Sequence, residues 1–285
     1  MNFVRYDELA KDVERLAKEC RNIVGILGVP RSGMIAAHML GQVLNLPVAN
    51  VTRWDPCNGF QDCAGARMAH VDAKPLRGEV LVLDDSFHSG RSIHNVRRTL
   101  LETTRDHSAW KYRFAAMYVA DQAPRSLLDL YCRIIPKPRF FQWNVLNHPD
   151  LEICMVDLDG VLCYDPDTPD NGGATWRNWM RNAPAKYLTR FYLGSICTAR
   201  IESYRPETTE WLSRHGIKFG ELLMNQAARH DERVDINSHA MAKSRYYEQS
   251  TAELFIESED WQAMAIHGYT GKPVLSTETW RLFRK

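Results

Sequence analysis

The chain has 285 residues, more than the roughly 100 to 200 of a typical single domain, which points to two domains that each bury a core. With 36 Lys and Arg against 35 Asp and Glu, the balanced charge excludes an overall field for nucleic acid or an anionic membrane, so anion binding must be local. The 7 cysteines are odd in number, scattered and mostly set in apolar runs, which favours reduced thiols in a cytoplasmic protein over a disulfide framework.

Cys57 and Cys63 are a close pair without His or Cys partners at ligand spacing, so they are not read as a metal site. No apolar run approaches the roughly 20 residues that cross a bilayer. Leu9, Val13 and Leu16 recur at helical spacing within a charged, amphipathic helix over 6–20, which is not a signal peptide. A short buried strand follows over 22–28, a helix over 34–44 and a strand over 48–52. Residues 53–78 carry Pro, Gly and Asn with no sustained period and read as a long loop. A helix over 92–101 and a strand over 114–120 continue the alternation, which argues for a parallel α/β sheet with right-handed crossovers.

The aromatic and proline-rich stretch 134–149 then interrupts the pattern, and the domain boundary is placed near Asn147. Phe141 and Trp143 suit stacking on a flat ring and equally suit a core, with the core reading favoured. The alternation restarts at 152–160, with further strands over 191–200, 221–225 and 253–258.

Residues 80–92 (VLVLDDSFHSGRS) are an apolar strand that ends on two acids and breaks into small polar residues. In open parallel sheets, ligands sit at the carboxyl ends of strands, where loops lead into helix N-termini. Asp84 and Asp85 can accept from vicinal ribose hydroxyls, and a Gly-containing turn at a helix N-terminus suits a phosphate. The bland alternative is a helix cap after an ordinary turn. Upstream, 28–33 (GVPRSG) occupies the same kind of position. Its Gly28 and Gly33 have P-loop spacing, but Met34 and Ile35 stand where Lys and Ser or Thr are needed. What remains is a Gly-flanked loop with one cation, Arg31, suited to a second anionic group.

Together these motifs resemble the type I phosphoribosyltransferase family over about residues 20–145. The resemblance implies that Asp84 and Asp85 hold the ribose hydroxyls of 5-phosphoribosyl 1-diphosphate. His88, Ser89, Gly90, Arg91 and Ser92 would cradle its 5-phosphate, and Pro30, Arg31 and Ser32 would line the diphosphate site. It also implies Mg²⁺ between diphosphate and ribose oxygens. Ser86 departs from the usual aliphatic residue after the acids, and Ser89 and Ser92 replace commoner threonines. Where the family has a mobile basic loop, 59–77 offers only Arg67, Lys74 and Arg77, with Gly65 as a hinge and Arg67 as the closing residue.

In 154–165 (CMVDLDGVLCYD), Asp157 and Asp159 lie just past a buried strand, with Gly160 allowing a sharp turn. One carboxylate can attack phosphorus while the other handles the proton, and two anions beside a phosphate call for a divalent cation. The motif resembles that of the haloacid dehalogenase-like hydrolases, whose later motifs match Thr198, Lys243 and the acids Glu257, Glu259 and Asp260 in order over roughly 151–270. The resemblance implies that Asp157 forms an aspartyl phosphate and that Asp159 protonates the leaving oxygen and then activates water. Thr198 and Lys243 would neutralise phosphoryl oxygens. Mg²⁺ would be held by Asp157, the Asp159 carbonyl and an acid of the last motif, Glu257 first and Glu259 second. The gaps between these motifs hold no large cap, only a small lid within 170–180, where Trp176 and Trp179 line the site or simply pack.

The expected fold class is therefore α/β with two parallel-sheet Rossmann-like domains, a phosphoribosyltransferase-like domain over 1–147 and a hydrolase domain with minimal cap over 148–285. The expected function is a bifunctional enzyme of nucleotide or phosphoribosyl metabolism. Its partners would be phosphorylated small molecules, phosphoribosyl diphosphate and nucleotides, with neither nucleic acid nor membrane, and a homodimer is left open. The rival reading makes the first domain a non-catalytic sensor of a phosphoribosyl ligand that regulates the phosphatase or a partner protein.

Overall fold

The computed structural model describes residues 1–60, 79–103, 110–166, 173–227 and 236–285, and it falls into two compact units, Asn2–Trp143 and Asn144–Lys285 with Met1. Both are mixed α/β with parallel sheets. No helix among the described residues is long and apolar enough to cross a membrane.

The first unit runs β1 (Asn2–Val4), α1 (Tyr6–Ala17), β2 (Ile23–Gly28), α2 (Gly33–Leu44), β3 (Val48–Asn50), β4 (Glu79–Phe87), α3 (Arg91–Thr103), β5 (Lys111–Val119), β6 (Leu130–Ile134) and β7 (Arg139–Phe141). Glu8 Oε2 accepts the Arg5 N–H at 3.1 Å and starts α1, whose Leu9, Val13 and Leu16 are buried as their spacing predicts. α2 ends at Asn45, in the left-handed conformation that asparagine tolerates (φ 52°). The parallel sheet has strand order β3-β2-β4-β5-β6. Its central strands are near-continuous apolar runs because helices cover both faces. The chain goes from β2 to β3 on one side, then crosses to β4 on the other, so strand order reverses between β2 and β4.

Two sequence expectations change here. The strand expected to end at the acid pair continues, with Ser86 paired to Tyr118 and Phe87 to Val119, so Asp84 and Asp85 lie within β4. The stretch 134–149, expected as a junction, instead supplies β7, which pairs in parallel with β1. Phe140 and Phe141 are buried there. The partner strand lies at the opposite end of this unit's sequence, a pairing that local periodicity does not contain.

The second unit runs β8 (Cys154–Asp157), α4 (Ala174–Asn182), β9 (Leu193–Ile201), α5 (Arg205–Arg214), β10 (Phe219–Asn225), α6 (Ile236–Gln249), β11 (Leu254–Glu257), α7 (Asp260–Thr270), β12 (Val274–Ser276) and β13 (Leu282–Phe283). Its sheet has order β10-β9-β8-β11-β12-β13, parallel except for the last pair. From β8 the chain adds β9 and β10 on one side, then places β11 on the other, so order reverses between β8 and β11.

Gly194 in β9 sits where a Cβ would lie 2.2 Å from the Glu152 carbonyl oxygen and 2.9 Å from that of Cys154. Both obstacles are backbone and cannot swing aside. Gly194→Ala is expected to destabilise the second unit by about 1–3 kcal/mol, seen as a lower urea midpoint with unchanged slope.

Candidate functional site

In the first unit, β2 and β4 are hydrogen-bonded neighbours, so residues 29–32 and the acid pair are brought together at the reversal point. The Val29 N–H donates to the Leu83 carbonyl at 2.9 Å, and a Cβ on Gly33 would lie 3.2 Å from Asp84 Oδ1. Pro30 and Arg31 are exposed on this loop, Ser32 is half-buried, and the Pro30–Arg31 peptide is cis.

Asp84 and Asp85 are only 8% and 5% exposed. Asp84 Oδ1 accepts the Asp85 N–H at 2.9 Å, and Asp85 Oδ2 accepts the Trp143 indole N–H at 2.8 Å. Burial pushes the Asp84 carboxyl well above the usual range, and the neighbouring Asp85 charge adds to this. Burial also raises Asp85, opposed by the Trp143 hydrogen bond and, more weakly, by the charge of Arg139. Beyond the pair, His88, Ser89, Arg91 and Ser92 are exposed around buried Gly90, whose φ of +75° a side chain would strain. Ser89 Oγ accepts the Arg91 N–H at 3.4 Å as α3 begins, so the segment is a polar turn at a helix N-terminus. Arg67, together with Gly65, Lys74 and Arg77, lies outside the described residues.

Phe141 is core, as favoured. Trp143 is both core and site: half-buried, it stacks on Phe141 at 4.9 Å while its N–H reaches Asp85. Arg139, missed in the sequence, is buried and donates to the Phe87 and Ile135 carbonyls at 3.1 and 3.0 Å, bracing the strand that carries the acids.

In the second unit, Asp157 ends β8 and Glu257 ends β11, on either side of the reversal point. Lys243 projects from α6 between them, donating to Asp157 Oδ2 at 2.7 Å, Glu257 Oε2 at 2.8 Å and Gln262 Oε1 at 3.3 Å. All three charged groups are buried. The other oxygens are also occupied: Asp157 Oδ1 accepts the Leu158 N–H at 2.9 Å, and Glu257 Oε1 accepts the Ser258 N–H at 2.8 Å. Burial, with the charge of Glu257, pushes Asp157 well up despite Lys243. Burial would raise Glu257 as well, but Lys243 leads the interactions that hold it low. The two carboxylates hold the ammonium above its ordinary pKa against the cost of burial.

Asp159 points to a different partner. Arg200, 2% exposed and missed in the sequence, grips it with Nη2 at 2.7 Å from Oδ1 and Nε at 3.0 Å from Oδ2. Thr198 Oγ1 adds a 3.4 Å donation to Oδ2 and accepts the Arg200 N–H at 3.1 Å. Burial would raise Asp159, but Arg200 holds it below the usual carboxylate range. In this arrangement Asp159 can take a proton and has none to give. The signal was present as an Arg two residues after Thr198, but only folding shows where its guanidinium goes.

Glu259 lines the same cavity and accepts from Gln262 Nε2 at 2.5 Å, whereas Asp260 accepts from Thr279 Oγ1 at 2.8 Å. The cavity measures about 140 Å³, with Asp157, Asp159, Arg200, Lys243 and Trp176 on its walls. Gly160 turns the chain at φ +79°, and a Cβ there would lie 2.4 Å from Ser258 Cβ and 2.8 Å from Asp165 Oδ2. Among the described residues no group of three or more His, Cys, Asp and Glu is placed to hold a metal. Asp157 and Glu257 nevertheless offer two oxygen-donor carboxylates at one strand-end crevice. That donor set fits Mg²⁺, which binds through one or two carboxylates and keeps several waters.

No family model and no curated protein matches the chain. Among solved structures, a Helicobacter pylori xanthine-guanine-hypoxanthine phosphoribosyltransferase is 22% identical, covering 50% of this chain and 93% of its own at a TM-score of 0.39. A Pyrococcus horikoshii purine phosphoribosyltransferase is 18% identical, covering 50% and 94% at 0.35. An Aeropyrum pernix orotate phosphoribosyltransferase is 18% identical, covering 45% and 70% at 0.31. At these scores, function has to be read from the chain's own residues.

Arg200→Met leaves the Asp159 carboxylate without its guanidinium, and the expected cost at pH 7 is about 3 kcal/mol. Because Arg200 depresses the folded-state pKa, its stabilisation is present above the ordinary carboxylate pKa of about 3.9 and is lost as pH falls through the lower folded value. Urea unfolding of wild type and variant should therefore differ most at neutral pH and converge in acid.

Proposed function

We propose that the chain is a bifunctional enzyme that acts on small phosphorylated metabolites in the cytoplasm, with neither nucleic acid nor membrane as partner. The second unit is read as a phosphohydrolase of the haloacid dehalogenase-like type. The observation that carries this reading is the buried Lys243 ammonium between Asp157 and Glu257 at the reversal point of the sheet. Such a buried charge cluster is costly as a fold element alone, and perturbed carboxyls in a cavity mark functional sites.

In this reading an Asp157 oxygen attacks phosphorus, the ester P–O bond breaks, and an aspartyl phosphate forms. Water then attacks that phosphate, its proton goes to Asp159, and inorganic phosphate leaves while the Asp157 carboxylate is restored. Asp159, held ionised by Arg200, is ready for the second step. The leaving oxygen takes its proton from Asp159, which acquires one from solvent once phosphoryl oxygens engage Arg200 and loosen its grip, and the water proton captured in the second step restores that supply. Lys243 and Thr198 neutralise and orient phosphoryl oxygens. Mg²⁺ held by Asp157 and Glu257 would supply further charge neutralisation.

The first unit is read as binding 5-phosphoribosyl 1-diphosphate for transfer of the phosphoribosyl group. Asp84 and Asp85 accept from the ribose hydroxyls, His88–Ser92 cradle the 5-phosphate, and Pro30–Ser32 face the diphosphate. The proximity of the two loops to the acid pair supports this. The sensor reading is kept because 59–77 contains only three cations to close over a reaction.

Asp157→Asn is expected to lower phosphate release by about 10⁴-fold or more, and release that survives the substitution would rule out this nucleophile. Asp85→Asn is expected to weaken 5-phosphoribosyl 1-diphosphate binding roughly 10-fold in calorimetry. Labelled-diphosphate exchange separates the two readings of the first unit: an enzyme exchanges label, whereas a sensor binds saturably without exchange.

A further inference from the structure

Surface helices keep their solvent faces polar, and α1 follows that rule: Asp7, Lys11, Glu14 and Arg15 stand exposed opposite buried Leu9, Val13 and Leu16. α7 breaks it. Between Asp260 and Lys272 the chain holds no Asp, Glu, Lys or Arg, although 25% of the whole sequence is charged. The helix buries Gln262, Ala263 and Ile266 on one side. Its other side presents Trp261, Met264 and Tyr269, which are 37%, 59% and 56% exposed, with half-buried Ala265 and exposed Gly268 among them. Positions 261, 264, 265 and 268 recur at i, i+3, i+4 and i+7, so they form one continuous apolar stripe. A contiguous apolar face left exposed on a folded chain marks an interaction surface.

The stripe fits a second copy of itself. Gly268 leaves a gap in it, because a Cβ built there would meet nothing within 4 Å. In a two-fold pair, residue i meets residue j while j meets i. Antiparallel α7 helices whose axis passes between Met264 and Ala265 set Trp261 against Gly268 of the other copy, and Met264 against Ala265. Each bulky side chain then faces a small one, which lets the helices approach to the usual spacing of about 8–10 Å.

Charge agrees with this pairing. The middle of the stripe carries none, so the copies meet without like-charge repulsion at the axis. Glu259 is exposed at the start of α7, and Lys285 Nζ lies at its end, 3.2 Å from where a Cβ on Gly271 would stand. The antiparallel arrangement brings each acidic start beside the other copy's lysine end. The exposed part of the stripe amounts to roughly 400 Å² per copy, or about 800 Å² in all, which suits a weak, reversible pair and not a permanent one.

We propose that α7 is a self-association surface, through which two copies of this chain pair antiparallel about the Met264–Ala265 midpoint as a weak homodimer. Nothing in this depends on the chemistry read for either crevice.

Sedimentation equilibrium of the full chain between about 1 and 500 μM tests it, since an interface this small dissociates within that range. The chain is expected to pass from monomer to dimer as concentration rises. Gly268→Lys has room in the single chain, and replacing a mid-helix glycine should raise the urea midpoint slightly. The same side chain fills the gap that Trp261 needs, so dimerisation should weaken by about 10-fold or more. Trp261→Ala is expected to weaken it similarly, and adding Gly268→Trp, which moves the ring to the facing position, should recover most of the loss. A chain that stays monomeric throughout overturns the proposal and leaves the face to another partner. A dimer that Gly268→Lys leaves intact also overturns it, because that dimer uses a different surface. Failure of the double variant to recover overturns the antiparallel pairing.

Discussion

In a parallel sheet every strand needs a crossover, and where strand order reverses, the two crossovers depart on opposite faces and leave the carboxyl ends between them uncovered. Both units obey that constraint once, between β2 and β4 and between β8 and β11. Backbone at such a crevice ends in loops and helix N-termini, so the polar groups that cannot be buried in the core collect there. Asp84 with the Pro30–Ser32 loop, and Asp157 with Glu257, are the two results.

The two crevices differ in how their charge is balanced. In the second unit two cations serve three of the acids: Lys243 bonds Asp157 and Glu257, and Arg200 bonds Asp159. Burying these groups unpaired would cost several kcal/mol each, so the set stands or falls together. In the first unit Asp84 and Asp85 meet an indole N–H, a backbone N–H, the Ser92 hydroxyl and a more distant Arg139, and both carboxyls still rise. Hydrogen bonds therefore carry most of the balance in the first site, whereas in the second it rests on two buried cations.

Much of this was legible along the chain because the relevant signals are local. Apolar runs bounded by acids and glycine marked β4 and β8, and helical spacing marked α1. What was missed are contacts made at long range. Arg200 reaches back to Asp159 across β8 and β9, and Trp143 reaches Asp85 from the far end of its unit. β7 was read as a junction because its partner, β1, opens the chain. Glu257 was ranked ahead of Glu259 in the sequence, and the fold separates them: Glu257 ends β11 facing Lys243, whereas Glu259 stands at the N-cap of α7 and accepts from Gln262.

The sequence by itself determined the alternation of strands and helices, the placement of Asp157 at the end of an apolar strand, and the order of Asp157, Thr198, Lys243 and Glu257. These follow from residue chemistry and spacing within a few turns of chain. Only the tertiary structure decided which charges meet: Lys243 with two carboxylates, and Arg200 with Asp159. Pairing of buried charges depends on distances across adjacent strands and helices, and those exist only once the sheet has assembled.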